Sequence, residues 1–229
     1  TSSLENNVAG ADNVAVGSDA CQDNTSGNYN TAVGNKALEN NLVGGSNTAV
    51  GHYALKDVVA DTSGHGSNVA VGRNAGSAIT TGTGNIALGT NTINGSSGTG
   101  DDNVGIGHYA MSQNTSGQYN VAVGRQAMQG NLIGDTNVAV GYQALYTNTD
   151  SDHNTAVGYQ ALKLYDNSTD NFNSYNTAFG YQAGLNATGA ANRNTFVGGM
   201  AGNANTTGEL NTAIGYYALQ ANQTGSRNV

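Results

Sequence analysis

The sequence predicts an all-β fold, a parallel β-solenoid of about twelve coils, and three observations carry that expectation. A short unit recurs along the whole chain: Asn, a β-branched residue, Ala, an aliphatic residue, Gly, two variable residues, Ala, then often Leu or Met. It reads NVAVGSDAC from Asn13, NTAVGNKAL from Asn30, NVAVGYQAL from Asn137 and NTAIGYYAL from Asn211. Secondly, the leading asparagines are separated by 17, 17, 21, 17, 18, 17, 17, 17, 22, 18, 17 and 17 residues, ending at Asn228. Thirdly, the composition is that of turns. There are 34 glycines and as many asparagines, no proline or tryptophan, and only 10% of the residues are charged.

A period of 17 is too short for helical-pair repeats or propeller blades, which need about 33 residues or more. It fits one solenoid coil with short strands and tight turns. In the Asn-led strand successive side chains alternate between faces. The β-branched column (Val14, Thr31, Thr48, Val69, Ile86) and the aliphatic column (Val16, Val33, Val50, Val71, Leu88) therefore share one side, and the Ala column takes the other. Placing the larger pair inside gives a Val core worth about 1.5–3 kcal/mol per side chain. Coils then stabilise one another by stacking, and twelve at the strand spacing make a rod on the order of 55–60 Å long.

The turns agree with this plan. Gly stands three residues before the leading Asn in nine coils, as at Gly27, Gly44, Gly82, Gly117 and Gly134. The Gly after the aliphatic residue, from Gly17 to Gly215, permits the bend that ends the strand. The Asn column, with Asn30, Asn47, Asn120, Asn137 and Asn154, is expected to form a ladder of amides bonded from coil to coil. Extra length falls after Leu55 and after Leu162, where loops should leave one edge. The whole of 1–229 reads as a single solenoid domain without clear caps, a piece of a longer array or a unit stacking end to end.

With the Ala column placed outside, its small residues would let another backbone approach closely. Ala32, Ala49, Ala70, Ala122, Ala139 and Ala156 are therefore the expected subunit interface. On this plan Ala139→Arg breaks assembly without unfolding a coil, whereas Val140→Asp unfolds one.

The unit resembles the head repeats of YadA-type trimeric autotransporter adhesins and the repetitive Asn-Thr-Ala-Val-Gly-Tyr-Gln-Ala-Leu arrays of phage tail-fibre-like proteins. That resemblance covers essentially the whole chain. It implies a left-handed parallel β-roll, assembled as a homotrimer; end-to-end stacking into a filament rests on the missing caps alone. It also implies an extracellular place, on a cell-surface appendage or a virion tail fibre. The coil here is longer than that of the adhesin heads.

Candidate binding residues follow from the columns. Tyr142, Tyr159, Tyr181 and Tyr216 stand directly after the repeat Gly, with Gln143, Gln160 and Gln182 beside the first three. Such a ladder could grip host or environmental glycans by stacking and hydrogen bonding, or simply stabilise itself. His52 and His108 occupy the same column three coils apart, too far to share a metal ion in one chain. Asp101-Asp102 and Asp150-Ser151-Asp152 lie in turns and read as solvated acids rather than Ca²⁺ ligands. The lone Cys21 reads as a small residue in the Ala column. Asn-x-Ser/Thr triplets such as those at Asn24 and Asn205 are expected by chance in this composition.

Other functions are weighed on the same residues. A net charge of −8 with scattered basic residues argues against nucleic acid. No apolar stretch approaches the roughly 18 residues of a membrane helix. Val33-Gly34-Asn35-Lys36-Ala37 matches the hexapeptide unit of left-handed β-helix acyltransferases, with His52 or His108 as the base, but only one face of each coil complies. The expectation is no enzyme, no cofactor and no metal. An ice-binding solenoid is the other alternative, on the column Thr31, Thr48, Thr155, Thr177, Thr195 and Thr212, which an inward orientation would hide from ice.

Overall fold

The computed structural model describes residues 2–59, 66–166 and 173–229, and these contain strands and turns but no helix. The chain forms two compact units, Thr1–Ser116 and Gly117–Val229. The first carries β1 (Val14–Val16), β2 (Thr31–Val33), β3 (Thr48–Val50), β4 (Val69–Val71), β5 (Ile86–Leu88) and β6 (Val104–Ile106). The second carries β7 (Val121–Val123), β8 (Val138–Val140), β9 (Thr155–Val157), β10 (Thr177–Phe179), β11 (Thr195–Val197) and β12 (Thr212–Ile214). Within each unit, neighbouring strands pair in parallel and in chain order, so each unit is a β-solenoid with one coil per repeat. The register follows the repeat: Thr31 faces Thr48, Ala32 faces Ala49 and Val33 faces Val50.

Counting the leading Asn as position 1, hydrogen bonding between coils continues well beyond the three-residue strands. In the coil from Asn30, Thr31 N donates to Asn47 O (2.8 Å), Lys36 N to Ser18 O (2.9 Å), Leu38 N to Ala54 O (3.0 Å) and Ser46 N to Asn28 O (2.9 Å). A short coil cannot satisfy its own backbone, so its partners are its neighbours.

The corners are made in two ways. The Gly at position 5 takes φ between +124° and +142° in its columns, as at Gly34 and Gly180. A Cβ on Gly34 would lie 2.5 Å from the carbonyl oxygen of Gly51 in the next coil, so a side chain is excluded as well as disfavoured. Positions 7, 9 and 17 are left-handed although they carry Lys36 (φ 59°), Leu38 (φ 53°) and Ser46 (φ 59°). Each such residue costs roughly 1–2 kcal/mol. The inter-coil hydrogen bonds named above hold them there.

The core is the main correction to the sequence expectation. From β2 to β12 the middle residue of each strand is buried and its two neighbours are half-buried or exposed, as in β2, β8 and β9; in the first strand, β1, the middle residue is half-buried. Ala32, Ala49, Ala70, Ala122, Ala139 and Ala156 are all fully buried. They line the interior of their own chain and cannot be the subunit interface. The physical reason is width: a 17-residue coil closes tightly, and its cavity is filled from the opposite wall. That wall supplies a second Ala at position 8 and the large residue at position 9, including Leu38, Leu55, Met111, Met128, Leu145 and Leu162, all fully buried. A Val at position 3 would collide with that wall, so the β-branched and aliphatic columns turn outward. Cys21 belongs to the position 9 column rather than the Ala column, and it too is fully buried.

Where the pattern departs, volume is exchanged within a coil and between neighbouring coils. Phe196 takes the place of Ala at position 3 and is buried. A Cβ on Gly202 would lie 2.4 Å from its ring, and one on Gly184 would lie 2.8 Å from it; both glycines stand where Leu is usual. Gly105 similarly replaces Ala and leaves room for Thr92 and Ile93. This is the dense complementary packing that protein interiors require.

The two length insertions, after Leu55 and after Leu162, run through residues 60–65 and 167–172, which lie outside the described residues. The loops expected to leave one edge fall there. On the described side of each insertion, Val58 and Tyr165 are buried.

Candidate interaction surface

The leading asparagines are buried at 0–1% exposure in most coils, and their amides run from coil to coil. Asn47 N and Nδ2 both donate to Asn30 Oδ1, at 3.0 and 3.2 Å. Asn137 donates in the same way to Asn120, and Asn154 to Asn137. Nδ2 also donates across the coil to a turn carbonyl, as from Asn30 to Gly44 O (2.8 Å) and from Asn120 to Gly134 O (2.8 Å). Amide side chains suit this position because each supplies donor and acceptor at once.

A second buried amide ladder occupies position 12. Asn24 Nδ2 donates to Asn7 Oδ1 (2.8 Å), Asn41 to Asn24 (2.9 Å) and Asn148 to Asn131 (2.8 Å). Each also caps its own turn, as from Asn24 to Gly27 O (3.0 Å). Its signal in the sequence is the Asn-x-x-Gly spacing, as in Asn24-Thr25-Ser26-Gly27. Asn24 and Asn205 belong to this ladder, so their amides are inside the coil and closed to glycosylation once the chain is folded. The ladder breaks at Val58 and Tyr165, and the Oδ1 atoms of Asn41 and Asn148 in the preceding coils are buried without a hydrogen-bond partner.

Outside, each unit presents a sheet face made of positions 2 and 4. In the first unit it runs from Val14 and Val16 to Val104 and Ile106, and in the second from Val121 and Val123 to Thr212 and Ile214. Every residue in these columns is Val, Thr, Ile, Leu or Phe, and none is charged. Phe179 (57% exposed) and Ile214 (71%) stand out furthest in the second unit.

Beside that face in the second unit lie the predicted aromatic and amide columns. Tyr142 stacks on Tyr159 with ring centroids 5.3 Å apart, and Tyr159 stacks on Tyr181 at 5.2 Å. Gln143 Nε2 donates to Gln126 Oε1 (3.1 Å), Gln160 to Gln143 (2.9 Å) and Gln182 to Gln160 (2.9 Å). Inside these columns the ring faces and the amides are engaged with one another, so the ladders stabilise the coils before they can serve a ligand. Tyr216 is separated from Tyr181 by Gly199 and tilts against Tyr217 at 4.0 Å.

The remaining titratable groups are placed by the coil geometry. His52 and His108 pack against their neighbours Tyr53 and Tyr109, with centroids 3.8 and 4.2 Å apart. Asp101 Oδ1 accepts from Thr83 N (2.7 Å), and Asp152 Oδ1 accepts from Asp135 N (2.7 Å), so these acids bind the backbone of the preceding coil. Among the described residues no group of three or more His, Cys, Asp or Glu is placed to hold a metal ion. Burial raises the carboxyls of Asp150 and Asp152 above the usual carboxylate range, with the neighbouring charges of Asp166 and Asp135 adding to it. Burial pushes the Cys21 thiol up to about 11 and the Tyr165 phenol up to about 12. A thiol so protonated is a poor nucleophile.

The geometry defines a tandem-repeat parallel β-solenoid with a polar amide-laddered interior and an apolar sheet face outside. No family model, no curated protein and no solved structure matches the chain.

Proposed function

We propose that the chain is a structural fibre segment of an extracellular appendage, an adhesin or a phage tail fibre, in which the outward sheet face is covered by other copies of the chain. One observation carries this. Twenty-four outward positions, two in each of the twelve strands, hold no charged residue and no amide. A solvated strand face ordinarily carries polar residues and edge charges. A homotrimer would bury the three equivalent faces around one axis, in keeping with the family resemblance of the repeat. Assembly thus moves from the Ala column to its neighbours on either side.

The outward threonines bring ice to the same face as a second reading, since Thr155, Thr177, Thr195 and Thr212 stand in register in consecutive coils. Phe179 and Ile214 in the adjacent column interrupt the regular surface that ice would need, and self-association ranks first.

The test is Val140→Lys with Val157→Lys. The double variant is expected to sediment as a lower oligomer with an unchanged far-UV circular dichroism spectrum. An unchanged mass would overturn the assembly, and thermal hysteresis in the native protein would favour ice.

A further inference from the structure

The Tyr and Gln ladders of the second unit end at the same step. The coil after Tyr181 and Gln182 places Gly199 and Met200 in their two columns. One face of the Tyr181 ring is stacked on Tyr159 at 8° between planes. Towards the next coil the column has no side chain, and Tyr181 is 52% exposed. Gln182 donates one amide N–H to Gln160 Oε1, the backbone N–H of Met200 is engaged by Tyr181 O, and the Met200 side chain has no N–H to return to Gln182. Among the described residues no donor therefore reaches Gln182 Oε1. One coil further, Tyr216 leans over the gap: a Cβ on Gly199 would lie 3.1 Å from its Cδ2. Tyr216 is 71% exposed, so it can swing aside.

We infer that this notch, floored by Gly199 and flanked by Tyr181 and Tyr216, binds a single hexopyranose ring. An open aromatic face takes the C–H-rich side of a sugar, and the free amide oxygen beside it accepts from a sugar hydroxyl. A few placed polar groups around an apolar platform are what a small-ligand site needs. The inner rungs lack this combination, because their ring faces and amide oxygens are already engaged. The ladder is thus a support, and its end is the site.

The test uses the whole chain, with methyl hexopyranosides of the gluco, galacto and manno series as probes, followed by amide NMR up to about 50 mM, the range of weak single-sugar binding. At least one probe should shift the signals of Gln182, Gly199 and Met200. Tyr181→Ala should weaken that binding at least about tenfold. Gly199→Tyr should abolish it while leaving the melting temperature unchanged or higher, because the added ring fills the notch and completes the Tyr column. Gly199 has an ordinary backbone conformation for a side chain, unlike Gly198 at φ +129°. If no sugar shifts these signals, or if Gly199→Tyr binds as well as the native chain, the site does not exist. If indole shifts them and no sugar does, the sugar assignment is wrong.

Discussion

Exchanging the fates of two adjacent residues gives a sharp check on the inverted core. Ala139, in the middle of β8, is fully buried and in register with Ala122 and Ala156 on its two sides. Ala139→Arg must therefore place a guanidinium inside the coil or expel the strand. An uncompensated buried charge costs about 3–5 kcal/mol, and the excess volume a further 1–3 kcal/mol. Against a total stability on the order of 5–15 kcal/mol, that loss unfolds at least the coils around β8. Val140 points the other way and is half-buried. Val140→Lys removes about 1 kcal/mol of the partial apolar burial within the chain, and once the copies separate the lysine stem lies along the face with its ammonium in water. Urea denaturation followed by circular dichroism, with each sample's mass from sedimentation, should show Ala139→Arg destabilised by at least about 3 kcal/mol more than Val140→Lys. The opposite ranking would refute the outward orientation of the Val columns.

Three further outcomes follow from packing, backbone and charge. Phe196→Ala should cost about 3–5 kcal/mol, because Gly202 in its own coil and Gly184 in the preceding one stand where Leu would fill the space; adding Gly202→Leu restores the common coil and should recover much of the loss in the same denaturation assay. Thr136 is β-branched yet held at φ 56°, so Thr136→Asn should raise stability by about 0.5–1 kcal/mol, and a lower urea midpoint would contradict this. The carboxyls of Asp150 and Asp152 are raised in the folded chain, so the native state holds these protons more tightly than the unfolded one. Their charge weakens the fold at neutral pH, and the second unit should gain stability as pH falls through the carboxylate range. Asp152→Asn keeps an acceptor for Asp135 N and should reduce that gain.

The repeat, the strand positions, the Asn ladder and the Gly bends were legible because each depends on residues a fixed distance apart. Sidedness was not. Alternation shows that Val138 and Val140 share a face and Ala139 takes the other, but it does not say which face is inside. That depends on coil width, set by where the chain turns back. The turns depend on left-handed Lys36, Leu38 and Ser46, residue types that give no such signal. The position 12 ladder was within reach, since Asn24, Asn41, Asn131 and Asn148 recur in step with the leading Asn. The exchange of volume between Phe196 and its glycines joins opposite walls of one coil and reaches Gly184 in the preceding one, so it needs three dimensions to be seen. Tyr181 was singled out as one rung among equals, and its difference lies in Gly199, a residue without a side chain.

The most direct test of the central claim is solvent paramagnetic relaxation of the Val and Ile methyl groups in the native protein and in the Val140→Lys, Val157→Lys variant. Burial of the sheet face between copies predicts that Val123, Ile214 and the rest of position 4 are shielded in the native assembly and become accessible in the variant. Equal and strong relaxation of these methyls in both samples would mean that the apolar face meets water, and the fibre assembly proposed here would fall.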